Sequence, residues 1–135
     1  MSKAYTGGCA CGAIRYEISG EPVFSNDCQC RDCQHESGTG HQSRRSDVKL
    51  TGEGNGWEMV ANSGKVKTRF FCPTCGSPVY LTFSATPQFF AVRAASLDDP
   101  SRYSPQAVTY AARGYAWDHV DAKLPRFAGM PSGAG

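Results

Sequence analysis

The sequence predicts a mostly β protein of many short antiparallel strands. Apolar residues recur with period two in several short segments, as half-buried strands require. Fifteen glycines and 8 prolines among 135 residues separate those segments with turns. Helical-turn signals appear in only two short stretches, residues 32–36 and 99–103. A chain of this length is expected to form one domain, over 1–128, with a frayed tail over 129–135.

Taken in order, Ile14, Tyr16 and Ile18 alternate with Arg15, Glu17 and Ser19, a strand that Gly20-Glu21-Pro22 closes. Val23-Phe24-Ser25 leads a second strand into a group of cysteines. Val48–Thr51 and residues 57–60 flank a glycine-rich turn at Gly52 to Gly56, a hairpin signal. Val66–Phe71 runs into the last cysteine pair and residues 79–83 run out of it. Residues 89–93 and 108–111 are further strands. The chain has no internal repeat and no low-complexity segment.

Hydrophobic residues are 40% and charged residues 19%, which excludes a disordered composition. Fourteen Lys+Arg against 12 Asp+Glu give a net charge of +2, too little for a nucleic-acid partner. No apolar run is long enough to span a membrane, so no membrane partner is expected. The first eight residues lack the apolar stretch of an export signal. A reducing, cytoplasmic compartment is therefore expected.

The seven cysteines fall in three clusters: Cys9 and Cys11; Cys28, Cys30 and Cys33; Cys72 and Cys75. An odd count without an export signal favours metal ligation or catalysis over disulfides. Cys72-Pro73-Thr74-Cys75-Gly76 reads as a zinc knuckle, whose turn aims two sulfurs at one ion and whose glycine supplies a positive φ. The other reading of C-x-x-C, a redox dithiol, needs a thioredoxin-like βαβ pattern that is missing here. Zinc takes four ligands, and Cys9 and Cys11, bracketed by Gly7-Gly8 and Gly12, offer the second pair.

Cys28, Cys30 and Cys33 then place three sulfurs on a second ion and leave a fourth position open, as catalytic zinc sites do. Two alternatives stay open. His35 or His41 could close the second site, or the middle cysteines could pair with Cys9 or Cys11. An open site of three thiolates and Zn²⁺ carries a net charge of about −1, which makes it a poor activator of water. It is a good place to hold a substrate thiol as thiolate, so the chemistry expected is making or breaking a carbon–sulfur bond.

Several other residues have two readings each. Arg31, Arg44, Arg45 and Arg69 could offset the cluster's charge or hold substrate carboxylates, or be solvated surface. Lys65, Lys67 and Arg69 alternate on one strand face, either an anion site or an exposed polar face. His119 could be a general base or a structural histidine, and Asp27 a proton acceptor beside Cys28 or a turn residue. Trp57, Trp117, Phe70, Phe71, Phe89 and Phe90 could line a pocket, although aromatics in short strands more often form core.

Thr6-Gly7-Gly8-Cys9-Ala10-Cys11-Gly12-Ala13-Ile14-Arg15-Tyr16 resembles the N-terminal signature of the glutathione-dependent formaldehyde-activating enzymes. The middle cysteines followed by Ser37-Gly38, and the run from Arg69 to Pro78, are similar to that family's second and third motifs. The segments Ala116-Trp117-Asp118 and Leu124-Pro125-Arg126-Phe127 resemble its C-terminal end. The resemblance implies an Mss4-like fold of short antiparallel strands in stacked sheets around a structural zinc. It implies a carbon–sulfur lyase, forming S-(hydroxymethyl)glutathione from formaldehyde and glutathione, so a small-molecule thiol is the expected partner. Residue by residue it makes Cys9, Cys11, Cys72 and Cys75 ligands of the structural zinc. It makes Cys28, Cys30 and Cys33 ligands of a second, catalytic zinc, so two zinc ions per chain are expected. Gln29 stands where the family usually has histidine, a change that bears on second-shell charge and substrate choice.

A competing reading is a non-catalytic zinc-binding interaction module of the same fold. It calls for a basic stripe or extension, and the sequence has neither. The related fold of methionine sulfoxide reductases needs a cysteine in the C-terminal part, and none follows Cys75.

Overall fold

The computed structural model describes residues 3–61 and 64–130. In chain order, the strands among them are β1 (Tyr5–Gly8), β2 (Arg15–Ile18), β3 (Phe24–Cys28), β4 (Thr39–Arg44) and β5 (Val48–Thr51). They continue with β6 (Asn55–Val60), β7 (Val66–Phe71), β8 (Pro78–Phe83), β9 (Phe89–Val92) and β10 (Ala107–Thr109). One helical turn, α1 (Arg31–Gln34), follows β3. A three-stranded antiparallel sheet has the order β1-β2-β5, and a seven-stranded sheet the order β10-β3-β4-β9-β8-β7-β6.

The alternation read from the sequence decides which face is buried. Ile14, Tyr16 and Ile18 are 0–2% exposed and pack from the small sheet against Val79, Tyr80, Phe90 and Val92 of the large one. Phe70, Tyr80 and Phe90 stack in turn, with ring centroids 4.5 and 4.9 Å apart. Cys9 and Cys72 belong to this core. The fold is thus the mostly β arrangement of stacked sheets with cysteine clusters that the sequence predicts.

Four details differ from the sequence reading. Val48–Thr51 and residues 57–60 do not form a hairpin: β5 pairs with β2, while β6 pairs with β7. The glycine-rich turn between them crosses from one sheet to the other, and Gly52 (φ 86°) sits so close to Ala13 that a Cβ would lie 2.1 Å from its carbonyl oxygen. The large sheet is also not wholly antiparallel, because β10 runs parallel to β3. The sequence reading missed β1 and β4. In β4, Thr39-Gly40-His41-Gln42-Ser43-Arg44 has no aliphatic residue, yet it is an inner strand with His41, Gln42 and Ser43 buried. From Pro131 onward the expected tail lies outside the described residues, and before it the Gly129 carbonyl accepts a bond from the Tyr110 N–H.

Candidate functional site

The two outer cysteine pairs meet because each follows a strand of a different sheet. Cys9 and Cys11 lie just beyond β1, and Cys72 and Cys75 just beyond β7. Their four sulfurs lie within 4.8 Å of one another. The Cys9–Cys11 and Cys11–Cys72 separations are both 3.6 Å. Four sulfurs at about 2.3 Å around a tetrahedral ion would stand about 3.8 Å apart, so these thiols fit zinc. Backbone N–H groups already point at them: Ile14 donates to Cys9 Sγ at 3.2 Å, and Thr74 and Cys75 donate to Cys72 Sγ at 3.4 and 3.5 Å. The Ser77 hydroxyl and backbone hold the Cys75 thiol down at about 5. Gly76 has φ 77°, the positive value expected of the residue closing the knuckle.

Cys28, Cys30 and Cys33 form a second cluster, 9%, 3% and 6% exposed, packed against Tyr110. Cys28 ends β3, Cys30 caps α1 by accepting the Cys33 N–H at 3.3 Å, and Cys33 lies within α1. The Cys28–Cys30 separation is 3.4 Å, and all three sulfurs lie within 4.8 Å of one another. Among the described residues no histidine or carboxylate joins them. His35 is exposed and bonded by Arg31, and His41 is buried in β4 against the Tyr5 ring. The middle cysteines also stay apart from the Cys9 and Cys11 set. The chemistry of the donors suits a thiophilic metal with a vacant coordination position.

The cluster's electrostatics are lopsided. The Cys28 and Cys30 thiols beside it push the Cys33 thiol down, and Arg93 and Lys67 add to this. Cys30 and Cys33 together push the Cys28 thiol up. Arg93 is 3% exposed, and its Nη1 lies 4.0 Å from Cys33 Sγ and 2.7 Å from the Thr39 carbonyl oxygen. Its Nε is bonded to Glu36. Glu36 also meets Arg69 Nε at 3.4 Å, and Arg69 in turn donates to the Asp32 carbonyl and covers Trp57.

Of the four arginines singled out in the sequence, Arg69 reaches the cluster's surroundings, through Glu36 and the Asp32 carbonyl. Arg31 bonds Gln34 and His35, Arg45 covers Phe90, and Arg44 is exposed. Lys67 is 7% exposed and faces the cluster's pocket, so an exposed polar face does not describe that strand. Sequence reading missed Arg93. Its signal was one charge closing the apolar run Phe89-Phe90-Ala91-Val92.

The second cluster separates two pockets. One, of about 120 Å³, is lined by the three cysteines, Lys65, Lys67, Arg93 and a largely apolar wall. The other is polar, shares Cys28 and Thr39, and is lined by Asp27, Gln29, Trp117 and His119 among others. Asp27 is therefore a strand residue facing a pocket; it accepts the Tyr103 hydroxyl at 2.9 Å, and burial pushes its carboxyl up. Gln29 is 3% exposed, with Nε2 on Asp118 at 3.1 Å and Oε1 unpartnered among the described residues. Its side chain thus points away from the sulfurs toward the Asp118 segment. Of the aromatics considered, Phe90 is core, whereas Trp57 and Trp117 are 53% and 70% exposed.

The family model described as glutathione-dependent formaldehyde-activating enzyme matches residues 4–113, which include all seven cysteines. A crystal structure of a Rhodobacter sphaeroides protein from a structural genomics programme is similar in fold. Its TM-score is 0.56 at 20% sequence identity, over 90% of this chain and 98% of that one. No helix among the described residues is long and apolar enough to cross a membrane.

Proposed function

Because this chain belongs to the glutathione-dependent formaldehyde-activating enzyme family, we propose that it is a carbon–sulfur lyase that joins a small thiol, such as glutathione, to formaldehyde or a related aldehyde. The observation that carries this reading is the convergence of three buried cysteine sulfurs with no fourth protein ligand among the described residues, at the floor of a pocket. In this reading Cys9, Cys11, Cys72 and Cys75 hold a structural zinc, and Cys28, Cys30 and Cys33 hold a catalytic one. Zinc bound by the three cysteines would offer a position for a fourth sulfur and favour its thiolate form.

The chain's own residues supply the rest. Lys67 and Arg93 set positive charge beside the incoming sulfur, and Glu36 fixes the guanidinium of Arg93. The thiol sulfur bonds to the carbonyl carbon, the C=O π bond opens, and the thiol's proton ends on the oxygen, giving a hydroxymethyl thioether. The second pocket, which shares Cys28, supports an approach for a small polar aldehyde. Binding in one geometry replaces an encounter of two solutes by a reaction within one complex.

Substitution of cobalt for zinc followed by titration with glutathione tests this. The sulfur-to-cobalt absorption should gain the intensity of one further thiolate at one of the two sites. A spectrum unchanged by glutathione and by mercaptoacetate alike would overturn the thiol-binding reading and favour a non-catalytic zinc module.

A further inference from the structure

The apolar wall of the pocket and the cations at its floor say more about the thiol than the family does. Val66, Leu81, Phe83, Ala91 and Met130 line the pocket, with Leu81 and Ala91 only 4% and 5% exposed. Burying a methylene against such a wall tightens binding about fourfold. A tripeptide thiol has little to offer it. The floor is different. Lys67 and Arg93, 7% and 3% exposed, both line the pocket. Arg93 Nη2 is buried with no hydrogen-bond partner among the described residues, although Nε and Nη1 are both engaged. An unpaired buried guanidinium N–H is costly unless a ligand completes it. Because Arg93 Nη1 is 4.0 Å from Cys33 Sγ, an anion meeting this guanidinium lies close to the sulfur-binding position.

We propose that the pocket takes a small thiol with a carboxylate one or two carbons from its sulfur and an apolar arm of several carbons. The sulfur sits at Cys28, Cys30 and Cys33, the carboxylate on Lys67 and Arg93, and the arm along Leu81 and Phe83. This rests on the thiol-binding reading of the three-cysteine centre, and deepens it by naming the thiol's class.

Calorimetry on the zinc-loaded protein tests it with four thiols: 2-mercaptohexanoate, mercaptoacetate, 1-pentanethiol and glutathione. The first differs from the second by a four-carbon arm and from the third by a carboxylate. It should bind at least tenfold more tightly than either, and more tightly than glutathione. In Lys67→Met the advantage over pentanethiol should shrink at least threefold, while the advantage over mercaptoacetate persists. If thiols bind with no gain from arm or carboxylate, the proposal fails and the thiol-binding reading stands. The cations would then serve only to balance the cysteine sulfurs. If none of the four binds, both fail together.

Discussion

Glu36 is the residue whose loss should be felt most for its size. Its carboxylate meets Arg93, which is 3% exposed, and Arg69 at 3.4 Å. Glu36→Gln keeps the shape and one acceptor but removes the charge, leaving the buried Arg93 with only the Cys33 sulfur, 4.0 Å away, to balance it. Breaking a buried pair by removing one partner costs about 3–5 kcal/mol. The retained acceptor and the solvent reaching Arg69 place the expected loss at the low end, about 3 kcal/mol with zinc in the four-cysteine site and the three-cysteine site empty. At a few degrees per kcal/mol for a chain of this size, the melting temperature should fall by about 10 °C. Metal bound to the three thiolates returns negative charge beside Arg93, so the loss should shrink when the protein is reloaded with zinc. Thermal unfolding followed by circular dichroism, at one and at two equivalents of zinc, measures both numbers. Glu17→Gln, at an exposed position on β2, is the control and should stay within about 0.5 kcal/mol. A Glu36→Gln loss below 1 kcal/mol at one equivalent of zinc would refute the claim that this carboxylate compensates the buried arginine.

If the two cysteine clusters hold metal as proposed, they should separate by mutation: Cys75→Ser should unfold the protein, seen as lost circular dichroism, whereas Cys30→Ser should keep the fold and abolish thiol–aldehyde adduct formation. Equal loss of structure in both would contradict the division of roles. His41, buried with both ring nitrogens unpartnered among the described residues, has its pKa lowered to about 4, chiefly by burial. The unfolded chain, titrating near 6.5, binds the extra proton. The stabilisation is therefore complete above about pH 6.5 and is lost as pH falls toward 4, by at most about 3 kcal/mol. Denaturant unfolding at stepped pH should show this slope, and His41→Phe should flatten it.

Much of the site was legible because cysteine spacing is a local signal. The knuckle from Cys72 to Gly76 and the Cys28, Cys30 and Cys33 run each fold within a few residues, and Gly76 adopts the φ its role requires. What escaped was non-local. Arg93 reaches Cys33 only because β9 pairs with β4, and nothing in Val92-Arg93-Ala94 announces a partner 60 residues away. β4 was invisible because its buried residues, His41, Gln42 and Ser43, are polar. Periodicity counts apolar side chains, and this strand owes its place to neighbours on both sides. The false hairpin at Gly52 to Gly56 has the same origin, since a glycine-rich turn fits a crossing between sheets as well as a reversal within one.

The parallel pairing of β10 with β3 sets an order of assembly. Thr109 lies opposite Cys28, the Thr109 carbonyl accepts the Gln29 N–H, and Tyr110 packs on the cysteine cluster. During synthesis all four cysteines of the first cluster are present once Cys75 has emerged. The three thiols of the second cluster must wait more than thirty further residues for their covering strand. Through that interval they lack the cover of β10 and Tyr110, open to oxidants and to any passing metal. Maturation of the second centre is thus timed by the arrival of the last strand, and a chain stalled short of it would carry a finished scaffold and an unfinished site.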